Sequence, residues 1–179
     1  MAESGHELAV ELTETLRLAV PIALTQLGQI AMMTTDLALI GRLALTIDGR
    51  DWSALGQLFT DTVYHDRTSL TGGEPVTLAV ADFVDGWRQT LQNMDAVHHQ
   101  ITNHVISVDG DQATCAANMQ GIHVLANASG GPMWTVGGRH DYRLKRSSDG
   151  WRIAGLTFTL QWATGNMNIV TLAMSGGGS

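Results

Sequence analysis

From residue 97 onward the chain alternates apolar and polar positions, the period of a half-buried strand. Four such runs, 97–108, 112–125, 133–146 and 151–162, are separated by "DGD", "NASGGP" and "SSDG", each a glycine-bearing turn. Before them the period changes. In "DLALIGRLALTIDGRDWSALGQLF" apolar residues recur at spacings of three and four and break at Asp-Gly-Arg-Asp, which predicts two helices joined by a turn. A loop through "TSLTGGEPVTL" leads to a third helix, "AVADFVDGWRQTLQNM", with Phe83, Val84, Trp87 and Leu91 on one stripe. Helices followed by an antiparallel meander predict an α+β fold in which the helices cover one face of a curved sheet.

Residues 8–45 form a mostly apolar run of helical composition, opened by acidic residues and interrupted by Pro21 and Gly28. Between Arg17 and Asp36 lie 18 uncharged residues, the low edge of a bilayer span, diluted by Gln26, Gln29, Thr25, Thr34 and Thr35. A membrane span is not expected, and the acidic start argues against a signal peptide. At the other end, "SGGGS" has the composition of a linker. The expected organisation is a helical extension at 1–35, one α+β domain at 36–170 and a flexible tail at 171–179.

Composition narrows the function classes. The 179 residues suffice for one core, and a formal net charge of −7 without blocks of like charge argues against a nucleic-acid surface. The single cysteine, Cys115, excludes an internal disulfide framework and suits a reducing cytoplasm. No phosphate loop follows "TGGEP" or "VGGR", so no nucleotide cofactor is expected.

The densest candidate chemistry is in "DAVHHQITNHVISVDGD". Alternation places His99, Ile101, Asn103 and Val105 on one face and His98, Gln100, Thr102 and His104 on the other. The Asp-Gly turn makes a hairpin that brings His123 beside His99. Arg139 and Asp141, at i and i+2 on the next strand, are expected to share that concave face. An imidazole abstracts a proton next to a carbonyl, a carboxylate orients it, and a guanidinium stabilises the oxyanion. Adjacent histidines point to opposite faces, so no metal site is expected. Trp87, Met119 and Trp134 are candidate pocket walls.

The segments "IDGRDWSALGQLF", "HHQITNH", "VDGDQAT", "GGRHDYRL" and "SDGWRIAGLTFTLQWATGN" resemble, in order and spacing, the SnoaL-like branch of the nuclear transport factor 2-like superfamily, near the scytalone dehydratases. The resemblance spans about 36–166 and implies a cone-shaped α+β barrel of curved antiparallel sheet covered by three N-terminal helices, enclosing a deep pocket. It further implies a homodimer or homotrimer through the outer sheet face and cofactor-free dehydration, isomerisation or cyclisation of a hydrophobic oxygenated small molecule. On the pattern of scytalone dehydratase, the helix-one aspartate falls on Asp48, the two histidines on His99 and His123, and the serine and asparagine positions on Arg139 and Asp141. Ile47 stands where one tyrosine would be; the other falls near Arg67, with Tyr64 and Asp66 close by. Epoxide hydrolysis is a variant suggested by the Arg-x-Asp pair, and a non-catalytic binding module is the alternative. Separately, "LRLAVPIALTQLGQIAMMTTDLALIGRL" resembles the first transmembrane helix of multidrug and toxin extrusion transporters.

Overall fold

The Asp-Gly turn is where the expected meander closes. In the computed structural model Gly110 has φ of 58° as the first of two loop residues, and Asp109 pairs with Gln112. The structure describes residues 13–17, 19–23 and 38–176. The chain divides into two compact units, Met1–Asp36 and Leu37–Ser179. In the first, 13–17 and 19–23 are helical, and the rest of the transporter-like stretch up to residue 37 lies outside the described residues. No helix among the described residues is long and apolar enough to cross a membrane.

The second unit runs α1 (38–48), α2 (Trp52–Gln57), β1 (Phe59–Asp66), α3 (Thr68–Thr71), β2 (Val76–Ala79), α4 (Val80–Leu91), β3 (Ala96–Asp109), β4 (Gln112–Val124), β5 (Met133–Ser147), β6 (Gly150–Gly165) and α5 (Ile169–Met174). Asp51 caps α2 by accepting from the Ala54 N–H at 3.0 Å. The six strands form one sheet ordered β2-β1-β6-β5-β4-β3. This is an α+β fold with its helices on one face, as the sequence pattern implied. The sheet is open between its β2 and β3 edges, where a barrel was expected, and it is mixed: β1 runs parallel to β6.

Alternation fixes what the sheet buries. Along β4, Ala113, Cys115, Ala117, Met119 and His123 point inward; along β5, Trp134, Val136, His140, Tyr142 and Leu144 do so. Phe83 and Leu91 of α4, with Ile40, Leu43 and Ile47 of α1, close over that face. The pattern does not predict two strands, β1 and β2: both are short, and β2 directly follows the glycines of "TGGEP". The expected tail begins too early at 171, since Ile169 and Ala173 are fully buried on α5, an amphipathic turn that packs its apolar side inward.

Candidate functional site

A carboxylate at a helix C-terminus faces the negative end of the helix dipole, so its presence there needs a partner. Asp48 ends α1, and the partner is β3: Asp48 Oδ2 accepts the backbone N–H of His99 at 2.9 Å, and Oδ1 lies 2.6 Å from His99 Nδ1. Because a carboxylate only accepts, Nδ1 carries a hydrogen toward Asp48, leaving Nε2 free to take a proton. His99 is 8% exposed and lines a cavity of about 200 Å³. His98, next in sequence and on the outer face, is exposed, with Nδ1 3.5 Å from Asp48 Oδ2.

The cavity lies between α4 and the inner face of the sheet. Phe83, Trp87 and Leu91 recur every four residues on α4 and form one wall. Met119, His123, Trp134, His140 and Phe158 form the opposite one. The rings make a chain: Trp87 meets His99 edge-on at 6.0 Å, His99 meets His123 at 5.5 Å, and His123 tilts against Trp134 at 5.1 Å. Gly121, the register partner of His99, makes room for both imidazoles. A Cβ there would stand 3.0 Å from His123 Cε1 and 3.4 Å from His99 Nε2.

Three of the cavity's four histidines are held neutral. Burial, and then the charges of His99 and His65, lower His140 to about 3. Burial followed by His99 lowers His123 to about 4, against the backbone of Trp134 and the carboxylate of Asp48. Burial and then Arg67 lower His65 to about 4, with Asp66 opposing. His123 Nδ1 is buried without a hydrogen-bond partner. The charged side chains on the lining are Arg67, which is exposed, and Asp82, also exposed, so the interior is apolar with imidazole edges.

The structure brings Asp48, His99, His123, Trp87, Met119 and Trp134 together as the sequence suggested. It does not bring in Arg139 and Asp141. Their side chains, 53% and 42% exposed, lie on the outer face and pair with each other, Arg139 Nε and Nη2 donating to Asp141 Oδ1 at 2.9 and 2.6 Å. The residue between them, His140, occupies the inner face.

Tyr64 and Asp66 are displaced in the same way. Tyr64 lies under the guanidinium of Arg143 at 3.9 Å, and Asp66 accepts from the backbone and hydroxyl of Thr68, backbone first, which holds its carboxyl below the usual range. His65, between them, lines the cavity. Asn103 sits in a bulge of β3, with φ of 57° and an exposed side chain. That bulge reverses the alternation, so Val105 is 70% exposed and His104 turns half inward, where burial lowers its pKa. Parity within each strand was the signal that could have found His65 and His140.

The fold and this site can be set against known proteins. Two bacterial proteins named "Probable multidrug resistance protein NorM" match a short part of the chain. The one from Bradyrhizobium diazoefficiens is 54% identical over 79 residues, and the one from Rhodopseudomonas palustris is 88% identical over 33. The matches span 44% and 18% of this chain but only 15% and 7% of those proteins. Among solved structures, the Kfla4162 protein of Kribbella flavida is 31% identical with a TM-score of 0.73, covering 76% of this chain and 95% of that one. A candidate scytalone dehydratase of Novosphingobium aromaticivorans is 14% identical, TM-score 0.64, covering 77% and 89%, and a hexachlorocyclohexane dehydrochlorinase, LinA type 2, is 14% identical, TM-score 0.64, covering 79% and 93%. At that identity they share the fold. The family model described as "SnoaL-like domain" matches residues 37–157, from the start of α1 into β6, and the chain belongs to that family.

Proposed function

We propose that the cavity performs cofactor-free acid–base chemistry on a hydrophobic, oxygenated small molecule, with His99 as the base and Asp48 as the group that orients it. The observation that carries this reading is the 2.6 Å contact of Asp48 with His99 Nδ1, which leaves Nε2 unpaired on an apolar cavity. A base so placed removes a proton next to a carbonyl, the common step of dehydration and isomerisation. Dehydratase and dehydrochlorinase relatives by fold, both named for eliminations, support the class. His123 supplies a second imidazole beside the reacting carbon, and Trp87, Met119 and Trp134 contact the apolar body. The epoxide-hydrolase variant loses its motive, because the Arg139–Asp141 pair lies outside the cavity.

A binding module of the same fold would hold a ketone without moving its protons. The test is solvent exchange: 1-tetralone, a bicyclic ketone with acidic α-hydrogens, incubated with the protein in deuterium oxide and followed by proton NMR. Acid–base catalysis gives deuterium uptake that saturates with protein-bound ketone. Binding with uptake at the buffer rate assigns the cavity to ligand storage.

A further inference from the structure

Two cavity histidines, His65 and His140, take no part in that chemistry, and His140 is the more deeply buried. His140 is 7% exposed, lines the cavity, and meets Phe158 edge-on at 5.2 Å. Its Nδ1 lies 2.7 Å from the hydroxyl of Tyr142, two residues along the same inner face. The direction of that hydrogen bond decides what the ring presents to the cavity. Tyr142 is 1% exposed, between Cys115 on β4 and Leu156 on β6. A phenol has one hydrogen to donate, and leaving it without an acceptor in such surroundings is costly.

Burial first, and then the neighbouring Cys115, raise Tyr142 well above the usual phenol range, and burial keeps His140 neutral. The hydroxyl therefore donates and Nδ1 accepts. A neutral imidazole that accepts at Nδ1 carries its hydrogen on Nε2.

We propose that His140 is a hydrogen-bond donor, locked in its Nε2–H tautomer by Tyr142, that holds the substrate's carbonyl oxygen while His99 removes the neighbouring proton. This rests on the acid–base reading of the cavity and specifies its substrate: an uncharged ring compound with one carbonyl next to a C–H. The C–H bond breaks and its pair becomes the enolate double bond. The carbonyl π pair moves to the oxygen at His140, and the proton rests on His99 Nε2. Where a C=C is conjugated with the enolate, return of the proton to its far carbon re-forms the carbonyl and completes an isomerisation; where a β-hydroxyl is present, the carbonyl re-forms, the enolate pair makes the Cα=Cβ bond, the C–O bond breaks and the proton leaves with the hydroxyl as water. A fixed neutral donor in a site of low polarity stabilises the enolate without surrendering its own proton. His99 and His140 thus divide the work: Asp48 makes one an acceptor toward the cavity, and Tyr142 makes the other a donor. Tyr142 acts only through His140 and is a positioning residue.

The test is nitrogen NMR of the full chain with ¹⁵N-labelled histidine at neutral pH, with and without 1-tetralone. The hydrogen of His140 is expected on Nε2, its signal moving when the ketone binds. In Tyr142→Phe, which keeps the ring and removes the hydroxyl, the two tautomers mix. Exchange turnover then falls by about 10-fold or more with little change in KM, a smaller loss than the ~10²–10³ of deleting such a donor outright. A His140 hydrogen on Nδ1 in the wild type, with exchange intact, overturns the donor and leaves the acid–base reading standing. No exchange, with the Nε2 hydrogen in place and moved by the ketone, sinks the acid–base reading and keeps the donor. Should Tyr142→Phe fail to fold, the wild-type tautomer decides alone.

Discussion

Replacing His99 with glutamine is expected to slow solvent exchange of 1-tetralone by about 10²–10⁴-fold, the span that a positioned general base supplies. Glutamine fills much of the imidazole's space, and its amide can still donate toward Asp48, which removes the proton-accepting nitrogen with little disturbance of the wall. Asp48→Asn tests the same unit from behind. An asparagine amide can donate where the carboxylate only accepts, so Nδ1 is free to become the acceptor and Nε2 to carry the hydrogen. That tautomer shows the substrate a donor in place of a base, and a loss of similar size follows with the ketone still bound. Rates are read from deuterium uptake, and folding from the denaturation midpoint. A folded His99→Gln chain that exchanges at the wild-type rate removes His99 from the chemistry.

Acid is expected to destabilise the protein through the other buried histidines of the cavity. Unfolded, a histidine takes up its proton near 6.5, whereas in the fold His123 waits until about 4 and His140 until about 3. Between those values the unfolded chain binds more protons, so this contribution is complete above about pH 6.5 and is lost as pH falls toward 4. By about pH 5 the loss is roughly 2 kcal/mol for each of the two. His65, which the fold lowers to about 4, adds in the same direction. A combined loss of this size is a large part of the total stability of about 5–15 kcal/mol of a typical domain. Urea unfolding at pH 7 and pH 5 measures it: the midpoint falls in acid, and His123→Gln flattens the dependence. A midpoint equal or higher at pH 5 shows that these rings are not buried neutral.

The fold was legible where a single period ran long enough. The four long strands and α4 stood out because alternation or a four-residue stripe persisted for ten residues or more. The eight residues of β1 and four of β2 carried too little pattern, and the parallel pairing of β1 with β6 leaves no local trace. At the site, His99, His123 and Asp48 were reachable because the Asp-Gly turn fixed the β3–β4 register and the family pattern supplied Asp48. The errors were all of parity. The sequence pattern points to Arg139 and Asp141 where His140 faces inward, and to Tyr64 and Asp66 where His65 does. A shift of one residue moves a whole strand's side chains to the other face. Asn103 failed for a related reason: its left-handed backbone opens a bulge that alternation does not foresee. The buried run of Trp134, Val136, Tyr142 and Leu144 marked the inner parity of β5, and His140 falls on it.

The central claim is that His99 presents a bare nitrogen to the cavity, and its ring nitrogens report this directly. In ¹⁵N-histidine spectra of the wild-type chain the account predicts the hydrogen of His99 on Nδ1, toward Asp48, and an unprotonated Nε2 whose signal moves on adding 1-tetralone. A hydrogen on Nε2 alone, or a His99 signal that stays fixed while the ketone binds in the cavity, would contradict it.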